Sequence, residues 1–485
     1  MRRLSAAVLA DLPEDVRRPS YDRGAIRTGV IHLGIGAFHR AHQAVLFEAA
    51  LEAGDMRWGV CGVSLRSAAV RDQLEPQDGL YSLVERDAAG ERVRIIGAVR
   101  NVLVAPENPE AVIAALASPD VHLVTLTITE KGYRLNGGSL DFSDPEIVHD
   151  LAEPAAPKSA VGFLVAGLAR RRAGGLPPFT VLSCDNLPHN GRLLRDAVLD
   201  FAGRIDSALA RWIAAEGAFP QTMVDRIVPA ATDADVAALA IRIGCEDRAM
   251  VKTEPFFQWV IEDRFCSPRP DFAALGARLT TAIAPWEEAK LRLLNGAHSA
   301  IAYAGGLIGI EHVHEFVALE QGRRFVESLW DESVTTLSPP PGLDLDRYRA
   351  ALMARFANPA LRHRTAQIAM DGTQKLPQRI IAPLVSRLER GDASPMLTMV
   401  LAAWMRWVGE RVAHGGETVL ADPLAKRLAV IQMAQSAQAR VDATLALDMM
   451  FPASLVPMLR PVLTTAYSEL MDGRVRDMLF AADKR

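Results

Sequence analysis

The segment that most limits the folds open to this chain is a glycine turn near its N-terminus. The apolar run Val30–Leu33 leads directly into Gly34-Ile-Gly36, and a stretch with helical periodicity follows at residues 38–53. Such a strand–turn–helix unit opens a doubly wound α/β sheet, in which the glycines let backbone amides approach a pyrophosphate. We therefore expect the turn, with Ala37 and Phe38 behind it, to bind a dinucleotide.

The glycine pattern alone does not prove that the turn binds a dinucleotide. His39 stands where the usual fingerprint has a third glycine, and a tight packing turn between a strand and a helix explains the same letters. The position of the turn, at the start of an alternating pattern of strands and helices, favours dinucleotide binding.

The alternation continues along the first half of the chain. Apolar, β-branched runs at 58–63 and 122–129 predict strands, and Asn108 before Pro109 predicts a helix start between them, because Asn caps helices and Pro suits the first helical position. A looser pattern follows, with a helix near 159–172, a strand at 179–183 and a long helix from 192 to about 216. Strands separated by helices predict a parallel sheet.

The second half of the chain has a different character. After Trp286, helical periods rich in Ala, Leu and Met continue to the C-terminus, interrupted by a Pro-rich turn at 338–342. The predicted fold class is α/β, an N-terminal Rossmann-type doubly wound sheet followed by a mainly α-helical C-terminal domain. We place the dinucleotide-binding domain at 1–280 and the substrate-binding domain at 281–485, with a boundary between about 270 and 290.

Composition narrows the class of partner. The net charge of −4 argues against a nucleic-acid surface. The sequence has no run of 18 apolar residues, which a membrane span would need, and we identify no signal peptide for secretion. The four cysteines lack the spacing of a metal site or a redox pair. We expect a cytoplasmic protein with a small-molecule partner and no bound metal, whose oligomeric state the sequence leaves open.

The end of the second predicted strand bears on the choice of coenzyme. The carboxylate that usually binds the ribose hydroxyls is missing there, since residues 63–67 read Val-Ser-Leu-Arg-Ser and the next carboxylate is Asp72. Arg66 is suited to a 2′-phosphate, or it is simply a solvated surface residue. The coenzyme prediction is NAD, with NADP not excluded.

The stretch Lys290-Leu-Arg-Leu-Leu-Asn295-Gly-Ala-His298 contains three candidate catalytic residues, Lys290, Asn295 and His298. In an α-helix, at about 100° per residue, His298 lies roughly 80° from Lys290 and Asn295 about 60° further round, so the three share a cleft-facing side. Lysine among leucines suits a general acid or base, and an Asn amide suits a developing oxyanion. A surface lysine, a kinked helix and a buried histidine are the alternative.

A further amide donor follows the predicted strand at 179–183. Asn186 stands just beyond the carboxyl end of that strand, where ligands bind in doubly wound sheets. An Asx turn explains the same residues nearly as well.

Taken together, these segments resemble the polyol-specific long-chain dehydrogenases and reductases, the family of mannitol 2-dehydrogenase and fructuronate reductase. The resemblance covers nearly the whole chain and is carried by the stretches Gly34–Gln43, Thr129–Tyr133, Ser183–Gly191, Met223–Ile227, Glu254–Phe256, Gln258–Asp263 and Lys290–His298.

The resemblance implies a nicotinamide-dependent oxidoreductase that needs no metal. It implies that Lys290 is the catalytic acid and base, that Asn186 and Asn295 stabilise the oxyanion, and that His298 positions the substrate. It also implies that Glu287 exchanges protons with solvent and that Asp225 lies in the substrate site.

The stretch 358–379 resembles the fructuronate reductase branch, which implies interconversion of D-fructuronate and D-mannonate. Five basic residues there offer donors to a substrate carboxylate, namely Arg362, His363, Arg364, Lys375 and Arg379. We predict substrate contact by Lys375, with Arg364 or Arg379 as carboxylate partner. A dehydrogenase of D-mannitol or another neutral polyol is the nearer alternative, and a non-catalytic, dinucleotide-binding sensor of a sugar acid is the remoter one.

Overall fold

The computed structural model describes residues 1–415, 420–473 and 475–481. Two compact units divide at a single point in the chain, the first ending at Ile283 and the second beginning at Ala284.

A five-stranded parallel sheet forms the centre of the first unit. Its strands are β1 (Thr28–Leu33), β2 (Gly59–Ser64), β5 (Val99–Val104), β6 (Leu123–Leu126) and β9 (Thr180–Ser183), in the order β5-β2-β1-β6-β9. In β1, Ile31 pairs with Cys61 on one side and Val124 on the other. The strand order reverses beside β1, which confirms the predicted Rossmann-type sheet and creates a crevice at the carboxyl ends of β1 and β6.

Nine helices belong to this unit within the described residues. They are α1 (Ala37–Ala41), α2 (Gln43–Glu52), α3 (Ala69–Leu74), α4 (Pro109–Leu116), α5 (Pro145–Ala152), α6 (Ala160–Ala173), α7 (Asn190–Ile205), α8 (Ser207–Glu216) and α9 (Asp233–Ile243). Apolar side chains of α4, α6 and α7 form one core with the sheet, while α2 contributes Phe47 and Leu51 to a second core around Trp58 and Trp259. Burial of this apolar surface stabilises the unit.

Smaller sheets surround the parallel one, and the sequence did not predict them individually. One joins β11 (Val251–Thr253) to the hairpin of β3 (Tyr81–Asp87) and β4 (Gly90–Ile96), and another joins β10 (Thr222–Asp225), β12 (Gln258–Glu262) and β13 (Arg278–Thr280). A third is the short pair β7 (Leu135–Asn136) and β8 (Ser139–Leu140). These sheets contain both antiparallel pairs, such as β3 with β4, and parallel pairs, such as β12 with β13.

Two helices predicted as continuous are broken. The helix expected at 38–53 stops at His42, whose ring stacks on Phe38 and lies 4.4 Å from Phe257, and whose Nε2 lies 3.0 Å from the Gln258 carbonyl oxygen. The helix expected from 192 to about 216 stops at Asp206, which is extended (φ −151°) and accepts a hydrogen bond from the Ala208 N–H. Both breaks depend on side-chain contacts rather than on helical periodicity.

Helices make up the second unit throughout its described residues. They are α10 (Ala284–Ala289), α11 (Gly296–Leu307), α12 (Val313–Ala318), α13 (Glu320–Val334), α14 (Leu345–Phe356), α15 (Thr365–Ile368), α16 (Gly372–Leu376), α17 (Ala382–Leu388), α18 (Pro395–Gly415), α19 (Ala425–Ile431), α20 (Ala437–Leu445), α21 (Val456–Asp472) and α22 (Val475–Ala481).

The core of this unit is built around two central helices. Residues 296–305 of α11 are all buried, and so is the first half of α18. A helix that is buried on every side belongs at the centre of a helical domain. None of the described helices combines the length and the apolar character that a membrane span requires.

Candidate active site

The glycine turn predicted to bind a dinucleotide lies between β1 and α1. Gly34 has φ +91°, and a Cβ there would lie 2.2 Å from the Thr127 carbonyl oxygen, so only glycine fits. A Cβ at Gly36 would meet nothing nearer than a backbone oxygen at 3.9 Å. The backbone of Gly36 is thus open, and a ligand has room to approach it. Ala37 and Phe38 follow as the first residues of α1.

A cleft extends from this turn along the carboxyl ends of β1, β2 and β6. It encloses about 330 Å³, which lies at the lower end of the usual range of ligand sites. Among the described residues that line it, three are basic, Arg66, Arg134 and Lys158, and one is acidic, Glu146, which pairs with Arg134 at 2.5 Å. The cleft is therefore suited to an anionic ligand, and Arg66 is exposed at its β2 end.

Two buried histidines support the turn from behind. His32 lies 2.7 Å from Thr125 Oγ1 through Nδ1, and through Nε2 it lies 2.9 Å from Thr127 Oγ1 and 3.1 Å from the Gly34 carbonyl oxygen. Its ring stacks on His39 at 3.4 Å, and burial lowers the pKa of His32 to about 3. The residue that replaces the third glycine is thus part of a neutral aromatic stack, a role that the motif did not indicate.

The predicted amide donor Asn186 lies in the loop after β9, and hydrogen bonds of Asn190 connect this loop to β10. Asn190 donates to the carbonyl oxygens of Asp185 and Thr222, and its own amide oxygen accepts from the Thr222 N–H. These bonds attach the loop after β9 to the start of β10. Asn186 is exposed, while Asp225, the last residue of β10, is buried.

The stretch 290–298 in the second unit differs from the predicted α-helix. Lys290–Asn295 form a π-helical turn, in which the Gly296 N–H donates to the carbonyl oxygen of Leu291, five residues earlier. The wider turn moves Asn295 closer to the face of Lys290 than the angle of about 140° that an α-helix imposes. Lys290 and His298 are both buried, each with 7% of its surface exposed.

Glu287 lies one turn before Lys290 and is partly buried. Burial raises the pKa of its carboxyl group to about 7, although the charge of Lys290 acts in the opposite direction. The carboxyl group therefore changes its protonation state near neutral pH, which is a property suited to proton exchange.

Basic side chains gather around His298. Its ring lies 5.1 Å from that of His363, and burial, followed by the charges of His363, Arg355 and Arg379, holds the pKa of His298 well below its usual value. Arg379 follows on a second π-helical turn, Pro377–Ile381, and burial lowers its pKa to about 10. The sequence named His363 as a possible donor but not as a neighbour of His298.

The three predicted carboxylate-binding residues occupy different surroundings. Arg379 donates to the Ser299 hydroxyl at 3.1 Å, and no ion pair joins it to an acidic residue in the described part of the chain. Lys375 donates to the Met370 carbonyl oxygen at 2.6 Å, and burial and the charge of Arg379 lower its pKa. Arg364 instead lies exposed, 3.3 Å from the carboxylate of Glu311.

The chain is similar to known proteins over its full length. Residues 28–274 match the family model described as the mannitol dehydrogenase Rossmann domain, and residues 282–470 match that of the mannitol dehydrogenase C-terminal domain.

The alignments with individual relatives span most of this chain and most of each relative. The D-mannonate oxidoreductase of Escherichia coli K12 is 41% identical over 488 residues, 99% of this chain and 100% of its own. The uncharacterized oxidoreductase YeiQ of the same organism is 44% identical, covering 91% of each chain. Among solved structures, the Pseudomonas fluorescens mannitol 2-dehydrogenase in ternary complex with NAD and D-mannitol aligns with a TM-score of 0.86 at 35% identity, covering 100% of both chains.

Proposed function

Because the chain belongs to the mannitol dehydrogenase family, we propose that it is an NAD-dependent oxidoreductase that interconverts D-fructuronate and D-mannonate. The family supports an enzyme that acts on a CH–OH group, and the choice of a sugar acid depends on the basic side chains of the second unit.

The residues of the cleft fit NAD. The open backbone at Gly36 leaves room for a pyrophosphate, and the basic side chains of the lining suit its charge. Bound NAD would supply or accept the hydride, as the coenzyme of the Pseudomonas fluorescens structure suggests. Arg66, just beyond the end of β2, is also suited to the 2′-phosphate of NADP.

Proton transfer is assigned to Lys290. As an ammonium group it donates a proton to the ketone oxygen during reduction, and as a neutral amine it accepts the hydroxyl proton during oxidation. The amides of Asn186 and Asn295 stabilise the negative charge that develops on that oxygen, and His298, held neutral by burial, orients a substrate hydroxyl. Glu287 passes the proton between Lys290 and solvent.

The observation that carries the choice of substrate is the environment of Arg379. A guanidinium removed from most of the solvent normally pairs with a carboxylate, yet the described partner of the half-buried Arg379 is the Ser299 hydroxyl. The charge of Arg379 also contributes to lowering the pKa of Lys375, after burial, so the two cationic side chains lie near each other. A substrate carboxylate would pair with Arg379, whereas mannitol and fructose offer none. Lys375, whose ammonium lies 3.8 Å from the Asp371 carboxylate, would be its second contact. Arg364 is excluded from this proposal because Glu311 already pairs with it.

The test is to measure initial rates of NADH and NADPH oxidation with D-fructuronate, D-tagaturonate and D-fructose in parallel. We expect D-fructuronate to be reduced fastest, and Arg379→Gln to lower its kcat/KM about a hundredfold, the scale expected when a substrate carboxylate loses its charged hydrogen-bond partner. Arg364→Gln removes an exposed guanidinium of the same unit and should leave the rate within about twofold.

The nearer alternative is a neutral polyol dehydrogenase, which the D-mannitol-bound neighbour favours. It predicts faster reduction of D-fructose than of D-fructuronate and equal, small effects of the two arginine substitutions. That result would leave the proposed role of Lys290 in place and remove the carboxylate-binding role of Arg379.

A further inference from the structure

We propose that Asp185 is a positioning residue whose carboxylate holds the turn at Ile128–Thr129 in a strained conformation that forms one wall of the dinucleotide cleft. This inference rests on the proposed use of the cleft by NAD. It links two motifs of the sequence, Thr129–Tyr133 and Ser183–Gly191, of which the proposed chemistry uses only Asn186.

The backbone of Thr129 is the first observation. Its φ of 63° and ψ of 163° lie in a region that essentially only glycine occupies without strain. A β-branched residue is especially unfavourable at positive φ. The conformation therefore persists only because surrounding groups enforce it.

The Asp185 carboxylate supplies that enforcement. The Thr129 N–H donates to Asp185 Oδ1 and the Ile128 N–H to Oδ2, both at 3.0 Å. The Tyr133 hydroxyl donates to Oδ2 at 2.6 Å and lies 2.5 Å from Ser183 Oγ. Two consecutive amides and a phenol thus converge on one carboxylate, and burial raises the pKa of Asp185.

The restrained turn lies beside the glycine turn, and both line the cleft. Thr127, Ile128, Thr129 and Gly132 line the cleft together with Gly34 and Gly36. A Cβ at Gly34 would lie 3.1 Å from the side chain of Ile128, which shows how closely the two turns approach. Release of the Ile128–Thr129 turn would therefore alter the wall against which the ligand packs.

Asparagine at position 185 cannot replace the carboxylate. Its single amide oxygen accepts from one of the two N–H groups, and its NH₂ group then faces the other donor. The strained turn loses a hydrogen bond to a charged group, and it is expected to relax away from the cleft. Glycine at position 129 removes the strain itself, so it should restore the wall without the carboxylate.

The experiment compares Asp185→Asn, Thr129→Gly and the double variant with the unmodified chain. NADH affinity is measured by fluorescence titration, thermal stability by the Tm, and order in the turn by the rate of tryptic cleavage after the exposed Lys131, identified by mass spectrometry. Asp141→Asn is the matched control, because Asp141 also accepts a backbone N–H, that of Ser143, but does not line the cleft.

We expect Asp185→Asn to weaken NADH binding about tenfold and to accelerate cleavage after Lys131, which corresponds to the loss of one charge-assisted hydrogen bond. The double variant should bind NADH within about threefold of Thr129→Gly, which serves as its reference, and Asp141→Asn should change the affinity little. Unchanged affinity and cleavage in Asp185→Asn, or a double variant as weak as the single one, would overturn the proposal.

Two further comparisons keep the test decisive. If Asp185→Asn does not fold, Tyr133→Phe removes one of the three donors, and it should shift affinity and cleavage in the same direction by a smaller factor. If the unmodified chain does not bind NADH at all, the proposed function fails, while the cleavage rates still decide whether Asp185 orders the turn.

Discussion

At the scale of single residues, the protonation of Glu287 is the property most open to measurement. Its carboxyl group has a pKa of about 7 because it is buried, so it is largely protonated below that pH and charged above it. Oxidation of an alcohol releases a proton that must leave the site. We expect the oxidation rate to fall below pH 7, and Glu287→Gln to be slower at pH 8 and to lack this ionisation in its kcat profile.

The same pKa shift has a consequence for stability, with a definite sign. A carboxyl group whose pKa is higher in the folded than in the unfolded state binds more protons when folded, so its contribution to stability is lost as the pH rises from about 4.5 to about 7. The loss is on the order of 3 kcal/mol at most. The Tm of Glu287→Gln should exceed that of the unmodified chain at pH 8 and approach it at pH 5. A constant difference would contradict the shift.

Residue identity also limited what the sequence could predict. Gly34, Gly36 and Lys290 could be predicted as site residues because each lies in a motif of neighbouring residues along the chain. Asp185 could not, because its partners Ile128 and Tyr133 are more than fifty positions away, and only the fold brings them together. The positive φ of Thr129 could not be predicted either, because a residue with positive φ is expected to be glycine and this one is threonine.

At the scale of elements, the two π-helical turns of the second unit contact each other. The Lys290–Asn295 turn ends at Gly296, where an added Cβ would lie 3.2 Å from the Arg379 carbonyl oxygen on the other turn. This distance is tighter than ordinary van der Waals contact. Glycine at this position therefore lets the element that carries Lys290 approach the element that carries Arg379.

Gly296→Ala tests whether that approach matters. We expect the KM for the sugar acid to rise several-fold with NADH affinity unchanged, because the methyl group pushes the two turns apart by a few tenths of an ångström. Gly203→Ala in α7 is the control, since its added Cβ has nothing nearer than 4.0 Å and should stabilise the helix by about 0.5–1 kcal/mol. An unchanged KM in Gly296→Ala would mean that the contact is only packing.

Elements were predicted well where the chain itself determines them. Apolar runs gave β1, β2 and β9, and the Asn108-Pro109 pair gave the start of α4. The π-helical turn was missed because its five-residue hydrogen bonds leave the same apolar periodicity as an α-helix over so short a span. In the outer sheets, β11 pairs with β3, which lies far away in the sequence, so local pattern gave this strand no register.

At the scale of the whole molecule, the residues proposed for coenzyme binding and those proposed for turnover lie in different units. Glycine turn, cleft and coenzyme fit belong to the first unit, whereas Lys290, His298 and Arg379 belong to the second. A protein that only senses a sugar acid would need the binding groups but not an acid–base lysine. The catalytic and the sensing hypotheses therefore differ in the effect of a single substitution.

Lys290→Ala decides between these hypotheses when thermal unfolding and rate are measured on the same sample. At a hundred times its Kd, NADH stabilises a folded protein by about 2.7 kcal/mol, and this increment should be equal in the variant and the unmodified chain. Turnover should fall by about 10² to 10⁴-fold, the usual contribution of a general acid. If NADH binds tightly while no sugar acid or polyol turns over even in the unmodified chain, the sensing hypothesis replaces the catalytic one. If the variant loses NADH stabilisation and turnover together, Lys290 supports the fold of the coenzyme site and is not the proton donor.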